Sequence, residues 1–148
     1  MASLAHLQSY LPQHPGLLPP FLVFVGVVSF ANSIQAYLTL QFTQQVYLGA
    51  PSSTNNPALT SPATPLSSRT FGTWTTLAGL VRIYAAYNID NAAFYQLGFA
   101  TYLLAAFHFY SEWLVFGTAR WGRGLAGPAF AAAGGLLWMW LQWGYYVK

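Results

Sequence analysis

The stretch Phe21–Phe42, FLVFVGVVSFANSIQAYLTLQF, contains no charged side chain, and short of Gln41 at its very end its only strongly polar members are Asn32 and Gln35. A helix needs about 20 mostly apolar residues to cross a hydrocarbon core of about 30 Å. This run meets that length and follows Pro19-Pro20, a pair suited to a helix start. It is too long for the apolar core of a leader peptide, no Lys or Arg precedes it, and no small-x-small cleavage pattern follows. We read it as a retained membrane span.

Working outward, the whole chain follows the same rule. Of its 148 residues 55% are hydrophobic and 5% charged, where a soluble domain carries roughly 25% charged residues. Five basic and two acidic side chains cannot clothe a water-soluble globule of this size, so the missing solvent is lipid. Three further apolar runs follow, about 70–89, 93–116 and 126–146, the last opening with Gly127-Pro128 and closing in an aromatic belt that includes Trp138, Trp140, Trp143 and Tyr145. Between the first and second runs, residues 49–68 mix Pro51, Pro57, Pro62 and Pro65 with Ser, Thr and Asn, which predicts a flexible loop. The expected fold is a single all-α domain over 1–148, an integral membrane bundle of four transmembrane helices. Arg69, Arg120 and Arg123 fall on one side, and the termini, Lys148 and Asp90 on the other; positive-inside counting puts the three arginines in the cytosol.

Several function classes drop out. The basic residues form no patch, so nucleic-acid binding is not supported. Without cysteine there is no disulfide framework, thiol nucleophile or Cys-based zinc site. His108 with Glu112 is short of the ligands a catalytic metal needs, since His6 and His14 precede the first span. Gly122, Gly124 and Gly127 match a dinucleotide-binding glycine pattern, but a membrane span precedes them and no acidic residue follows. No catalytic residue, metal or cofactor is expected.

An ionisable group inside a bilayer costs about 2.5–3.5 kcal/mol on insertion scales, so Arg82, His108 and Glu112 require a reason. Counted from the loop side at 1.5 Å per residue, Arg82 lies roughly 16 Å deep, His108 roughly 13 Å, Glu112 roughly 7 Å, Asn32 roughly 14 Å and Gln35 roughly 9 Å. Five polar side chains from three spans then share one half of the membrane. On this count Arg82 can reach Glu112; counted from the Asp90 turn, the mismatch grows to roughly 18 Å and forbids it. We adopt the first count, because Asn91 to Tyr95 can sit at headgroup depth. Gly127, Ala131 and Gly135 form a small-residue stripe on the fourth span that would let helices approach closely. The cluster reads as a polar network holding the bundle together, as a site for the hydroxyl of an amphipathic lipid, or as a proton or ion path.

Certain strings are more specific. Asn32-Ser33-Ile34-Gln35, Arg69-Thr70-Phe71-Gly72-Thr73-Trp74-Thr75, Val81-Arg82 with Ala85-Ala86-Tyr87-Asn88-Ile89, and His108-Phe109-Tyr110-Ser111-Glu112 resemble the ergosterol biosynthetic protein 28 family, over about 20–147. The resemblance implies a multi-pass endoplasmic-reticulum membrane protein that is not an enzyme. It implies a scaffold, self-associating as a homodimer, for the sterol C-4 methyl oxidase, the C-3 dehydrogenase/decarboxylase and the 3-keto reductase, with links to other late sterol enzymes. The alternative is a protein that binds or hands on a sterol through the intramembrane cluster. The family's polar positions carry over as Asn32, Gln35, Arg69, Arg82, His108 and Glu112, with no catalytic role implied.

Overall fold

The computed structural model describes residue 6, residues 9–54 and residues 56–147; Lys148, used above in the charge count, lies outside the described residues. Among them the chain is all helix, without a strand: α1 Leu18–Leu38, α2 Gln41–Val46, α3 Pro57–Thr60, α4 Pro65–Tyr87, α5 Ala92–Leu114 and α6 Arg123–Tyr146. The four long helices coincide with the four apolar runs. Their ends differ from the expected ones, each for a local reason.

α4 starts at Pro65 rather than Thr70 because Thr64 and Ser67 cap it reciprocally. The Ser67 N–H donates to Thr64 Oγ1 at 3.1 Å, and the Thr64 N–H donates to Ser67 Oγ at 2.8 Å. Within the expected loop, Asn56 Oδ1 accepts from the Ala58 N–H at 3.1 Å and caps α3, so residues 49–68 include helical turns. The first run breaks at Thr39, which is extended (φ −139°, ψ 141°), and resumes as α2 instead of continuing to Phe42. Asn91 caps α5 by accepting from the Ala93 N–H at 3.0 Å. α6 begins at Arg123, which leaves Pro128 inside the helix rather than in its first turn.

α1 and α4 run antiparallel at backbone contact. A Cβ placed on Gly79 would lie 3.0 Å from the Gly26 carbonyl oxygen and 3.0 Å from Ser29 Cβ, and one on Gly72 would lie 3.2 Å from the Ser33 carbonyl oxygen. Small residues on both helices permit this approach. Ser68 Oγ donates to the Ala36 carbonyl at 2.7 Å and lies 2.7 Å from Thr43 Oγ1, which fastens α2 to the same pair.

The expected stripe Gly127, Ala131 and Gly135 is corrected here. The buried face of α6 comprises Leu125, Ala129, Ala132, Gly135 and Met139, and a Cβ at Gly127 would meet nothing within 4 Å. Gly127 is exposed and Ala131 half-buried, both beside a cavity rather than against a neighbouring helix, and Gly135 packs against the Tyr102 ring. α5 and α6 pair through large side chains instead, with Tyr95 OH donating to the Met139 carbonyl at 2.6 Å.

Two apolar clusters close the ends of the bundle. One gathers Leu18, Leu22, Ile89, Tyr95 and Met139; the other gathers Ala105, Phe109, Leu125, Ala129 and Ala132. The segment before α1 is tied to the first end by Tyr146 OH donating to the Pro15 carbonyl at 2.9 Å and by His14 at 3.6 Å from Asp90. All four long helices turn large apolar side chains outward, among them Phe24, Leu77, Leu104, Phe107, Phe130 and Leu141. By length and apolar composition α1 and α6 each suffice to cross a membrane.

Candidate functional site

The polar residues singled out above separate into two places. The first is centred on Arg82 of α4, which is 6% exposed. Its Nε donates to Thr101 Oγ1 at 3.0 Å, its Nη2 to the Thr101 carbonyl at 3.4 Å and its Nη1 to Ser29 Oγ at 3.4 Å. The guanidinium carbon lies 4.2 Å from the centroid of the Tyr102 ring, a cation–π contact. Both hydroxyls spend their own protons within their helices: Ser29 Oγ donates to the Val25 carbonyl at 2.8 Å and Thr101 Oγ1 to the Gly98 carbonyl at 2.7 Å. Their lone pairs are thereby left for the cation.

Arg82 does not meet Glu112. Its partner on α5 is Thr101, and the eleven helical steps from there to Glu112 span about 16 Å. The count from the Asp90 turn therefore describes the register, and the count adopted from the loop side does not. The reason is that Asn91 caps α5 immediately after the turn, so no first turn of that helix is left to slide away from α4. The single carboxylate ion pair among the described residues is His14 with Asp90.

Beside Arg82 lies a cavity of about 540 Å³ bounded by α1, α2, α4, α5 and α6. Asn32 and Gln35 line it, as do Gly127, Ala131 and Arg123, and no acidic residue does. Among the described residues neither amide has a side-chain hydrogen bond. Two buried hydroxyls on its wall, Tyr102 OH and Thr75 Oγ1, also have no partner. Thr75, Thr101, Tyr102 and Ser29 were not anticipated. For Ser29, Thr101 and Tyr102 the available signal was a position on neighbouring helices near the level of Arg82; Thr75, seven residues and about 10 Å along α4 from Arg82, carried no such signal.

The second place, at the loop end, holds His108 and Glu112. His108 Nε2 lies 2.6 Å from Tyr47 OH, its ring packs 5.7 Å from Trp74, and Glu112 accepts from the Thr118 hydroxyl. Burial and the nearby Glu112 carboxylate push the Tyr47 phenol well above its ordinary pKa, so Tyr47 stays protonated and can donate to His108. A cleft of about 310 Å³, lined by Tyr47, Phe71, Trp74, His108 and Glu112, opens beside this pair. Arg69 is exposed and stands apart from both places. No group of three or more potential metal ligands occurs among the described residues.

Residues 18–137 match the family described as Erg28 like protein. The chain belongs to that family. It is 43% identical over 146 residues to ergosterol biosynthetic protein 28 of Candida albicans, covering 98% of this chain and 99% of that one. It is 40% identical over 132 residues to the Saccharomyces cerevisiae protein of the same name, covering 88% and 83%. To the human ergosterol biosynthetic protein 28 homolog it is 33% identical over 124 residues, covering 83% and 82%. No solved structure matches. The segment shared with the Erg28-like family includes every residue that lines the cavity around Arg82.

Proposed function

We propose that this protein is a non-catalytic scaffold of ergosterol biosynthesis: a four-span helical bundle of the endoplasmic-reticulum membrane that gathers the sterol C-4 methyl oxidase, the C-3 dehydrogenase/decarboxylase and the 3-keto reductase, as a homodimer. The observation that carries this reading is the match along 98% of the chain to a relative named for ergosterol biosynthesis. The apolar outer faces of all four long helices support four crossings, including α4, whose Arg82 is buried, and α5, whose His108 and Glu112 line the cleft at the loop end. Gly127 and Gly134, with open space at their Cβ positions, leave α6 able to approach a second copy.

Tethering raises the effective concentration of one enzyme's product at the next enzyme, into the mM range for short links. For an intermediate that otherwise escapes into the bilayer, that favours transfer. Deletion of the protein is expected to lower C-4 demethylation flux in cells while each separately purified enzyme keeps its activity. An unchanged sterol profile in the deletion strain refutes the reading.

The cavity favours a companion reading in which the bundle also binds a sterol and passes it on. A photoreactive sterol should then label residues beside Arg82; labelling confined to the outer faces counts against it.

A further inference from the structure

A buried guanidinium is always charged, and taking an ion out of water is costly unless something compensates it. Among the described residues Arg82 is compensated by two hydroxyls, one carbonyl and a ring. Three of its five N–H donors are engaged, two of them at a long 3.4 Å. Around it the wall carries the amides of Asn32 and Gln35, which have no side-chain hydrogen bond among the described residues, while the hydroxyls of Tyr102 and Thr75 are enclosed without a partner. Apart from Ser29 and, at the loop end, Gln45 and Arg123, the rest of the wall is apolar, including Val25, Ala105, Phe109 and Ala132. A volume of about 540 Å³ is that of a small-molecule site. Exposed residues on α1 (Val28, Gln35) and α6 (Gly127) belong to the same wall, so the cavity opens sideways between α1 and α6, toward the surface that faces acyl chains.

We infer that this cavity binds a lipid carboxylate borne directly on a ring system, with its oxygens on Arg82 and its rings against the apolar wall. A hydroxyl or keto group would leave the cation uncompensated, whereas a carboxylate neutralises it and accepts several hydrogen bonds at once. A phospholipid phosphate does not fit. Ser29 and Thr101, which hold Arg82, sit near the middle of α1 and α5, about 15 Å below the headgroup layer of a core about 30 Å thick. A free polar acid has no reason to leave water for that depth. A rigid apolar body with one acid group on a ring does.

The inference rests on the sterol reading above. Removing a ring methyl as carbon dioxide requires that carbon first to be oxidised to the carboxylic acid, so the acid is what an oxidase must release and a decarboxylase must receive. A carrier between those two enzymes should recognise this oxidation state over the starting methyl.

The test uses the full-length protein in phospholipid nanodiscs, with a 3-hydroxy-4-carboxy sterol, its 4-methyl counterpart and oleic acid as competing probes. The carboxy sterol is expected to bind about tenfold or more tightly than the methyl sterol, equivalent to at least one charge-assisted hydrogen bond, and Arg82→Gln should abolish that preference. Asn32→Leu, at a wall amide with no side-chain hydrogen bond among the described residues, should weaken carboxy-sterol binding without lowering the thermal midpoint. Equal binding of the carboxy and methyl sterols overturns the inference, as does oleate competing as well as the carboxy sterol. Capture of the oxidase and decarboxylase by the wild-type protein, measured in parallel, reports on the scaffold reading independently: its loss breaks that reading and not the ligand preference.

Discussion

The pairs α1·α4 and α5·α6 have similar lengths and comparable apolar content, yet they are joined by opposite means. In the first, glycine and serine bring main chain against main chain, with a Gly79 Cβ position 3.0 Å from the Gly26 carbonyl. In the second, rings and long side chains fill the space, with Tyr102 against Gly135 and Tyr95 bonded to Met139. A backbone interface cannot yield locally, whereas a side-chain interface can repack. The lesson is a division of labour: one pair is a rigid plank, the other an adaptable wall, and the polar cavity lies along the seam.

The contrast breaks most visibly at Gly79. Gly79→Leu should force α1 from α4 and cost about 3 kcal/mol or more, read as a lowered unfolding midpoint in detergent. A change of less than about 1 kcal/mol would mean that the plank is not rigid. Arg82 comes next, because it reaches across the seam from α4 to both Ser29 and Thr101. Arg82→Leu should cost about 1–2 kcal/mol and reduce recovery of assembled complexes, while the exposed Arg123→Leu changes neither. The penalty stays modest because the hydroxyls that lose the cation still donate to Val25 and Gly98; equal behaviour of the two variants would contradict the assignment. Tyr47→Phe deletes one hydrogen bond to His108 at the loop end and should cost about 1 kcal/mol. Gly134→Ala, on the open side of α6, should stay within about 0.5 kcal/mol and serves as the baseline.

The four long helices were legible in the sequence because uninterrupted apolar length is a property of each segment alone. What needed two segments at once was not. A small-residue stripe can be found on several helices, and the sequence of α6 does not tell whether its stripe faces a partner; the operative glycines proved to be Gly26, Gly72 and Gly79. The Arg82–Glu112 pairing failed for the same reason, since register depends on where a turn ends, and Asn91 sets that. The resemblance to the ergosterol biosynthetic protein 28 family was readable from short strings whose residues later proved to line both polar places. The hydroxyls around Arg82 escaped notice because Ser and Thr are unremarkable in a membrane helix, where each can satisfy itself on its own turn.

The absence of any acid from the wall around Arg82 bears on the tightness of the membrane itself. In a bundle that crosses the bilayer as proposed, water entering a groove of this kind would invite proton leakage. A permanent positive charge at the innermost point repels hydronium and other cations, as fixed arginines do in water-selective pores. On the proposed four-span arrangement, that charge lets a roomy recess stay open to lipid without short-circuiting the compartment beyond.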